Sequence, residues 1–241
     1  MVEMESADWG ALRRPAEIQA MFDRIVRRYD LMNRLMTGGR DVAWRRLAAG
    51  EAVGSGAREV LDLATGTGDL ALELARQGVA LVIGADLSRG MLGVAAGKVH
   101  AAGRPPVRLT QVDAMALPFA DASLDACTVG FGLRNMPDYR GAIVEMARVL
   151  RPAGRLVILE MTPLSRPHLR TAFSWYFDRI VPIVGGLVSG DRDAYGYLPR
   201  SVGAFPDAET LAGMMRDAGL RHVRYRLLAI HTVALHVGIK P

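Results

Sequence analysis

The chain has 241 residues, half of them hydrophobic and under a quarter charged, which suits one domain with a full core and excludes a disordered or collagen-like polymer. Its only cysteine, Cys127, excludes an intrachain disulfide and points to a reduced, cytoplasmic setting. A formal charge of +5 favours anionic partners, phospholipid or nucleic acid, although a plain solvated surface satisfies it equally.

The first residues, "MVEMESADWGALRRPAE", lack the apolar core of a signal peptide. Next, "AEIQAMFDRIVRRYDLMNRLM" carries helical spacing at Met21, Phe22, Ile25, Val26 and Tyr29. From Arg58 strand and helix signals alternate. Strands are expected at 58–64, 80–88, 106–114, 123–132 and 155–162, and helices at 68–78, 90–103 and 138–154, the last ended by Pro152 and Gly154. Cys127, inside the fourth strand, reads as a small core residue. An insertion, 163–205, follows. Its apolar stretch, Phe173 to Gly190, is interrupted by Asp178, Arg179, Pro182 and Gly185-Gly186, too often for a membrane span. A helix over 207–220 leads into "HVRYRLLAI" and "HTVALHVGIK", which lie too close together for a parallel crossover and read as an antiparallel hairpin. The expected fold is therefore α/β: seven strands, mostly parallel, with an antiparallel edge hairpin and helices on both faces.

Chemistry concentrates at the strand ends. "VLDLATGTGDLALELA" joins the first strand to the first helix of the sheet, and Gly66 and Gly68 permit positive φ and a close approach to a ligand. The spacing Gly66-x-Gly68-x-x-Ala71 also satisfies the loose dinucleotide fingerprint. Asp86, followed by Leu87, ends the second strand where a carboxylate can accept ribose hydroxyls. Asp113, beside Ala114, ends the third, and Asp62 sits inside the end of the first. Three carboxylates around one glycine loop suit a ligand with an ammonium, a ribose and an adenine better than one with two phosphates. No Gly-Lys-Ser/Thr phosphate grip is present. His168, His222, His231 and His236 show no metal spacing, so no metal is expected. No aromatic-interleaved basic motif speaks for nucleic acid.

These motifs resemble the class I S-adenosylmethionine-dependent methyltransferases. The resemblance implies that Asp62 and the loop Ala64, Thr65, Gly66, Thr67, Gly68 hold the cofactor, Asp86 with Leu87 the ribose, and Asp113 with Ala114 the adenine. "YDLMNRLMTGGRDVAW", "FGLRNMPD", "RVLRPAGRLVILEMT" and "YGYLPRSVGAFPDAETLAGMMRDAG" sharpen it. Together they are similar to the ubiquinone/menaquinone C-methyltransferase family, from about Met21 to Pro241. Thr37, Asp41, Ala153, Thr162 and Gly130 depart from that family's usual residues, and Gly130 falls where some members place a serine near the cofactor. Tyr29, Asp30, Asn33, Arg134 and Asn135 are retained.

The resemblance implies a single methyltransferase domain over 1–241, with a helical cap over 1–50 and a substrate lid over 163–205. It also implies methylation of a ring carbon of a prenylated quinol, demethylmenaquinol or its ubiquinone-pathway counterpart. Arg134 would stabilise the phenolate, Asn135 would hold the same oxygen or a water, and Tyr29 would close over the ring. The alternative on the residues alone is that Arg134 pairs structurally with an acid such as Glu160 or Asp138. Phe173, Trp175, Tyr176 and Phe177 would line a tunnel for the prenyl tail or dip into the inner face of the cell membrane, and a homodimer is compatible with the same apolar surface. An NAD-dependent oxidoreductase using the same glycine loop, or a non-catalytic binding protein on the same fold, are the competing readings.

Overall fold

The computed structural model describes residues 15–54, 56–164 and 192–241. Two helices, α1 (Pro15–Thr37) and α2 (Arg40–Val53), precede an alternating region of β1 (Glu59–Leu63), α3 (Asp69–Arg76), β2 (Leu81–Asp86), α4 (Arg89–Ala101) and β3 (Val107–Gln111). Next come β4 (Leu124–Gly130), a 3₁₀ turn (Leu133–Asn135), α5 (Tyr139–Val149) and β5 (Leu150–Met161). The described chain closes with α6 (Arg192–Ala204), α7 (Ala208–Asp217), β6 (Arg221–Leu228) and β7 (Val233–Ile239).

The strands form one sheet in the order β3-β2-β1-β4-β5-β7-β6. Pairs among β1 to β5 are parallel, whereas β7 pairs antiparallel with both β5 and β6. This is the expected α/β sheet with its edge hairpin. The central strands are buried on both faces, so apolar residues fill both sides of the pleat. Leu61, Leu63, Cys127, Val129, Leu156 and Ile158 face α5 and α7, where Ile143, Met146, Leu211 and Met215 meet them. Val60, Ala126, Val157 and Leu235 face Trp44, Ala48 and Ala52 of α2 and Leu70 and Leu74 of α3. Cys127 is thus core, and burial pushes its thiol pKa up. A smaller apolar cluster joins Met21, Ile25 and Met32 of α1 to Tyr197 of α6. The i, i+4 spacing of Met21 and Ile25 brings one face of α1 onto it.

The helix expected over 138–154 ends earlier. Arg151 precedes Pro152 and is driven out of the helical region, so α5 stops at Val149 and β5 begins at Leu150. The strand carries "RPAG" as an irregularity: Leu150 pairs with Leu124, and the register resumes at Arg155 opposite Ala126. Ala153 takes φ 64° there. His168 and the apolar stretch Phe173 to Val188 lie outside the described residues, as does the segment before Pro15. No described helix is long and apolar enough to cross a membrane.

Strand order reverses at β1, where β2 and β3 lie on one side and β4 and β5 on the other. The crevice beyond the carboxyl ends of β1, β2 and β4 is where such sheets hold ligands.

Candidate active site

The turn after β1 is left-handed at Ala64 (φ 52°), Gly66 (φ 56°) and Gly68 (φ 83°). Thr65 N donates to Ala85 O at 3.0 Å, which fixes the loop against β2. Asp86 caps the arrangement: its Oδ2 accepts from Gly66 N and its Oδ1 from Ser88 N, both at 2.8 Å. Each carboxylate oxygen keeps lone pairs for a further donor. Burial raises the pKa of Asp86, against the pull of those amides. Behind the loop, Asp62 is buried and accepts from Thr65 Oγ1 at 2.6 Å and Thr128 Oγ1 at 2.8 Å. Its pKa is pushed up to about 6, by burial first, with the two threonines opposing.

A cavity opens above this turn. Ala64, Gly66, Asp86, Leu87, Asp113, Ala114, Gly130 and Asn135 all line it, with Met91, Val112 and Met136 as its apolar walls. Asp62, Thr65 and Gly68 do not line it. They shape the loop from behind: Asp62 ties Thr65 to β4, and Gly68 lets α3 pass close to α4, where a Cβ would stand 3.1 Å from Ala95 Cβ. Gly132 brings the end of β4 against the loop, since a Cβ there would lie 2.5 Å from that of Ala64. Asn135 Oδ1 is a buried acceptor with no partner among the described residues. Carboxylates at two strand ends, loop amides, apolar walls and an open acceptor suit the ribose, purine and ammonium of S-adenosylmethionine. Ile18, Gln19 and Phe22 of α1 form the outer wall. The enclosed volume, about 150 Å³, is below the roughly 300–1,000 Å³ usual for small-molecule sites.

Two clusters pin α1 in place. Ser88 Oγ donates to Asp23, and Thr67 Oγ1 donates to Asp30 Oδ1 at 2.6 Å. Lys98 of α4 pairs with Asp30 and reaches Asp69 at 2.7 Å and Thr67 Oγ1 at 3.0 Å. Asp30 thus serves the glycine loop, while its neighbour Tyr29 lines the cavity.

Tyr29 and Phe131 also line a second cavity of about 460 Å³, with Asn33, Asp41, Trp44, Arg45, Arg134 and Met161. These two residues are shared by the linings of both cavities. Phe131 holds φ 61°, an uncommon conformation outside glycine. It is anchored by its N–H to Leu159 O at 2.8 Å, and its carbonyl accepts from Arg134 Nη1 at 2.6 Å. The Phe131 ring also packs against Trp44 and lies 5.6 Å from the Arg45 guanidinium.

Arg134 is buried and pairs with Glu160, Nη1 to Oε1 at 2.6 Å, while its backbone N–H donates to Oε2 at 3.2 Å. Of the two acids the sequence offers as partners, Glu160 is the one that holds it. Burial works against the Arg134 charge, but Glu160, Tyr29 and Tyr197 outweigh it and keep its pKa above the ordinary value. Arg134 Nε is a buried donor with no partner among the described residues. A second buried pair, Asp41 with Arg45, lines the same cavity, and Thr37 Oγ1 donates to Asp41 Oδ1 at 3.1 Å. Two of the five departures from the family pattern therefore bond to each other. Phe131, Lys98 and Arg45 are site residues that sequence reasoning missed. The charge pattern of α4 offers no sign that Lys98 reaches α1, and an apolar strand end such as Phe131 reads as core.

A family model described as the ubiE/COQ5 methyltransferase family matches residues 12–240. The demethylmenaquinone methyltransferase of Thermus thermophilus is 48% identical over 222 residues, covering 92% of this chain and all of that protein. The ubiquinone/menaquinone biosynthesis C-methyltransferase UbiE of Desulfotalea psychrophila is 40% identical over 240 residues, covering 99% and 96%. Among solved structures, a SAM-dependent methyltransferase of Thermotoga maritima superposes with a TM-score of 0.61 at 18% identity, covering 93% of this chain and 100% of that one. The likeness to that structure is one of fold.

Proposed function

The chain belongs to the ubiE/COQ5 methyltransferase family, and from that premise we propose that it methylates a ring carbon of a prenylated quinol, demethylmenaquinol first and its ubiquinone-pathway counterpart second. S-adenosylmethionine, when bound, supplies an electrophilic methyl group on a sulfonium centre. The observation that carries the reading is the shared lining of the two cavities. One cavity offers the glycine loop and Asp86, the other a buried arginine, and among the described residues only Tyr29 and Phe131 stand in both linings.

Asp86 accepts from the ribose hydroxyls on lone pairs that its amide partners leave open. Asp113 and Ala114 flank the adenine. A quinol ring carbon that has taken the methyl group releases its own hydrogen as a proton to water, which restores the aromatic ring. That carbon becomes a useful nucleophile when its neighbouring hydroxyl ionises, and phenols ionise near pH 10. Arg134 lowers that barrier: its charge stands beside the developing phenolate, and its unpartnered Nε–H donates to the oxygen. Glu160 fixes the guanidinium through Nη1, so no reorganisation is needed at the moment of reaction. Asn135, whose Oδ1 is an unpartnered acceptor, holds the water that takes the proton, because a guanidinium is too weak a base to take it. Tyr29 closes over the ring from α1. The whole chain acts as one methyltransferase domain, with α1 as part of its cap.

The test is incubation with labelled methyl donor and a chemically reduced demethylated naphthoquinone, followed by mass analysis. A product with one labelled ring methyl is expected. Unchanged quinol, together with thermal stabilisation by NADH but not by S-adenosylhomocysteine, contradicts the reading.

A further inference from the structure

We propose that the mouth of the quinol cavity is a bilayer-docking surface: Ile230, Leu35 and Leu31 enter the lipid, and Arg34 and Arg40 meet anionic headgroups. The proposal rests on the quinol reading above, because a prenyl tail leaving this cavity has to pass into lipid.

The apolar residues are out of place for a water-facing surface. Ile230 is 70% exposed, and Leu35 and Leu31 are 53% exposed. Leu31 and Leu35 stand one turn apart on the same face of α1. Leu35 and Ile230 both line the cavity, so they mark its rim. The turn between β6 and β7 presents Ile230 by a strained route. Ala229, Ile230 and His231 take φ of 48°, 57° and 72° in succession. A β-branched residue rarely accepts such a conformation, and strain of this kind collects at functional positions. Thr232 holds the turn from below, its N–H and Oγ1 both donating to Ala229 O at 3.2 and 2.8 Å.

Charge selects the occupant. Arg40 is exposed and also lines the cavity, and Arg34 is 51% exposed. Among the described residues the acid that Arg34 approaches, Asp41 at 4.0 Å, is buried and pairs with Arg45. Exposed aliphatic side chains flanked by arginines match the boundary of an anionic bilayer, where the apolar groups reach the acyl region and the cations stay among the headgroups.

The full chain is sedimented with vesicles of phosphatidylcholine, alone or with one-third phosphatidylglycerol. Wild type should bind the anionic vesicles, less so as salt is raised. Ile230→Asn removes the aliphatic group and places at φ 57° a residue that tolerates it. Its melting temperature should match or exceed wild type while vesicle partition falls about tenfold. Leu31→Glu lines neither cavity. It should cut partition severalfold and leave turnover of a tail-less quinol and affinity for S-adenosylhomocysteine at wild-type values. Equal partition by wild type and both variants overturns the proposal. So does a wild-type dimer in sedimentation velocity that Leu31→Glu dissociates, which would assign the face to a second copy of the chain. Failure of wild type to methylate the tail-less quinol, with the vesicle results as expected, would sink the quinol reading and leave the docking surface standing.

Discussion

The two cavities differ in what satisfies their polar groups. On the cofactor side, backbone amides do the work: Asp86 accepts from Gly66 and Ser88, and left-handed turn residues aim the loop. In the cavity proposed for the quinol, buried ion pairs do it, Arg134 with Glu160 and Asp41 with Arg45. A wall built from amides of one contiguous loop survives the loss of a side chain with its frame intact. A wall built from paired charges on separate elements does not, because removing one partner strands the other away from water.

That contrast sets the order of expected effects. Glu160→Ala leaves the Arg134 charge buried and should cost about 3–5 kcal/mol of stability, measured by urea unfolding. An equal loss in the double variant with Arg134→Met would contradict the pairing as its cause. Asp62, behind the loop, gives a pH signature. Its folded pKa of about 6 stands above the usual 3.8, so between these values the folded chain holds a proton that the unfolded chain has lost. Stability contributed by this group is full below about pH 4, falls as pH rises to about 6 and is level above. Asp62→Asn should remove a fall of about 3 kcal/mol across that window, read as the difference between two unfolding curves. Asp86→Ala should weaken S-adenosylhomocysteine about 10- to 100-fold by calorimetry while leaving the fold largely intact. Smallest is Lys98→Met, which loosens α1 from the glycine loop. Stability should change by about 1 kcal/mol or less, since the cluster is partly exposed. Ligand entry should quicken severalfold in stopped flow, because Ile18, Gln19 and Phe22 of α1 form the outer wall of that cavity.

The same contrast explains what could be read from the sequence. The cofactor side is local: a strand end, two glycines and the next strand's final carboxylate lie within Asp62 to Asp86, so spacing alone brings Gly66 and Asp86 together. Alternating strand and helix signals likewise specified the sheet, and the short link between the last two strands specified its antiparallel edge. The cavity proposed for the quinol is assembled from α1, α2, the 3₁₀ turn, the end of β5 and the β6–β7 turn. Nothing in the spacing of Arg134 and Glu160, 26 positions apart, chooses between that pair and a free guanidinium. Phe131 was hidden because its role depends on a positive φ that no composition signal marks. The end of α5 was misplaced because Pro152 acts on the residue before it, and the chain turned to strand sooner than the glycine suggested.

The central claim is that Arg134 acts on the reacting quinol while the cofactor is held elsewhere. Arg134→Lys keeps a cation beside Glu160 and removes the Nε donor. Single-turnover methyl transfer to a reduced demethylnaphthoquinone should slow about 10²- to 10³-fold, with S-adenosylhomocysteine affinity unchanged within about twofold. Transfer at the wild-type rate, or a loss that tracks weaker cofactor binding, would contradict it.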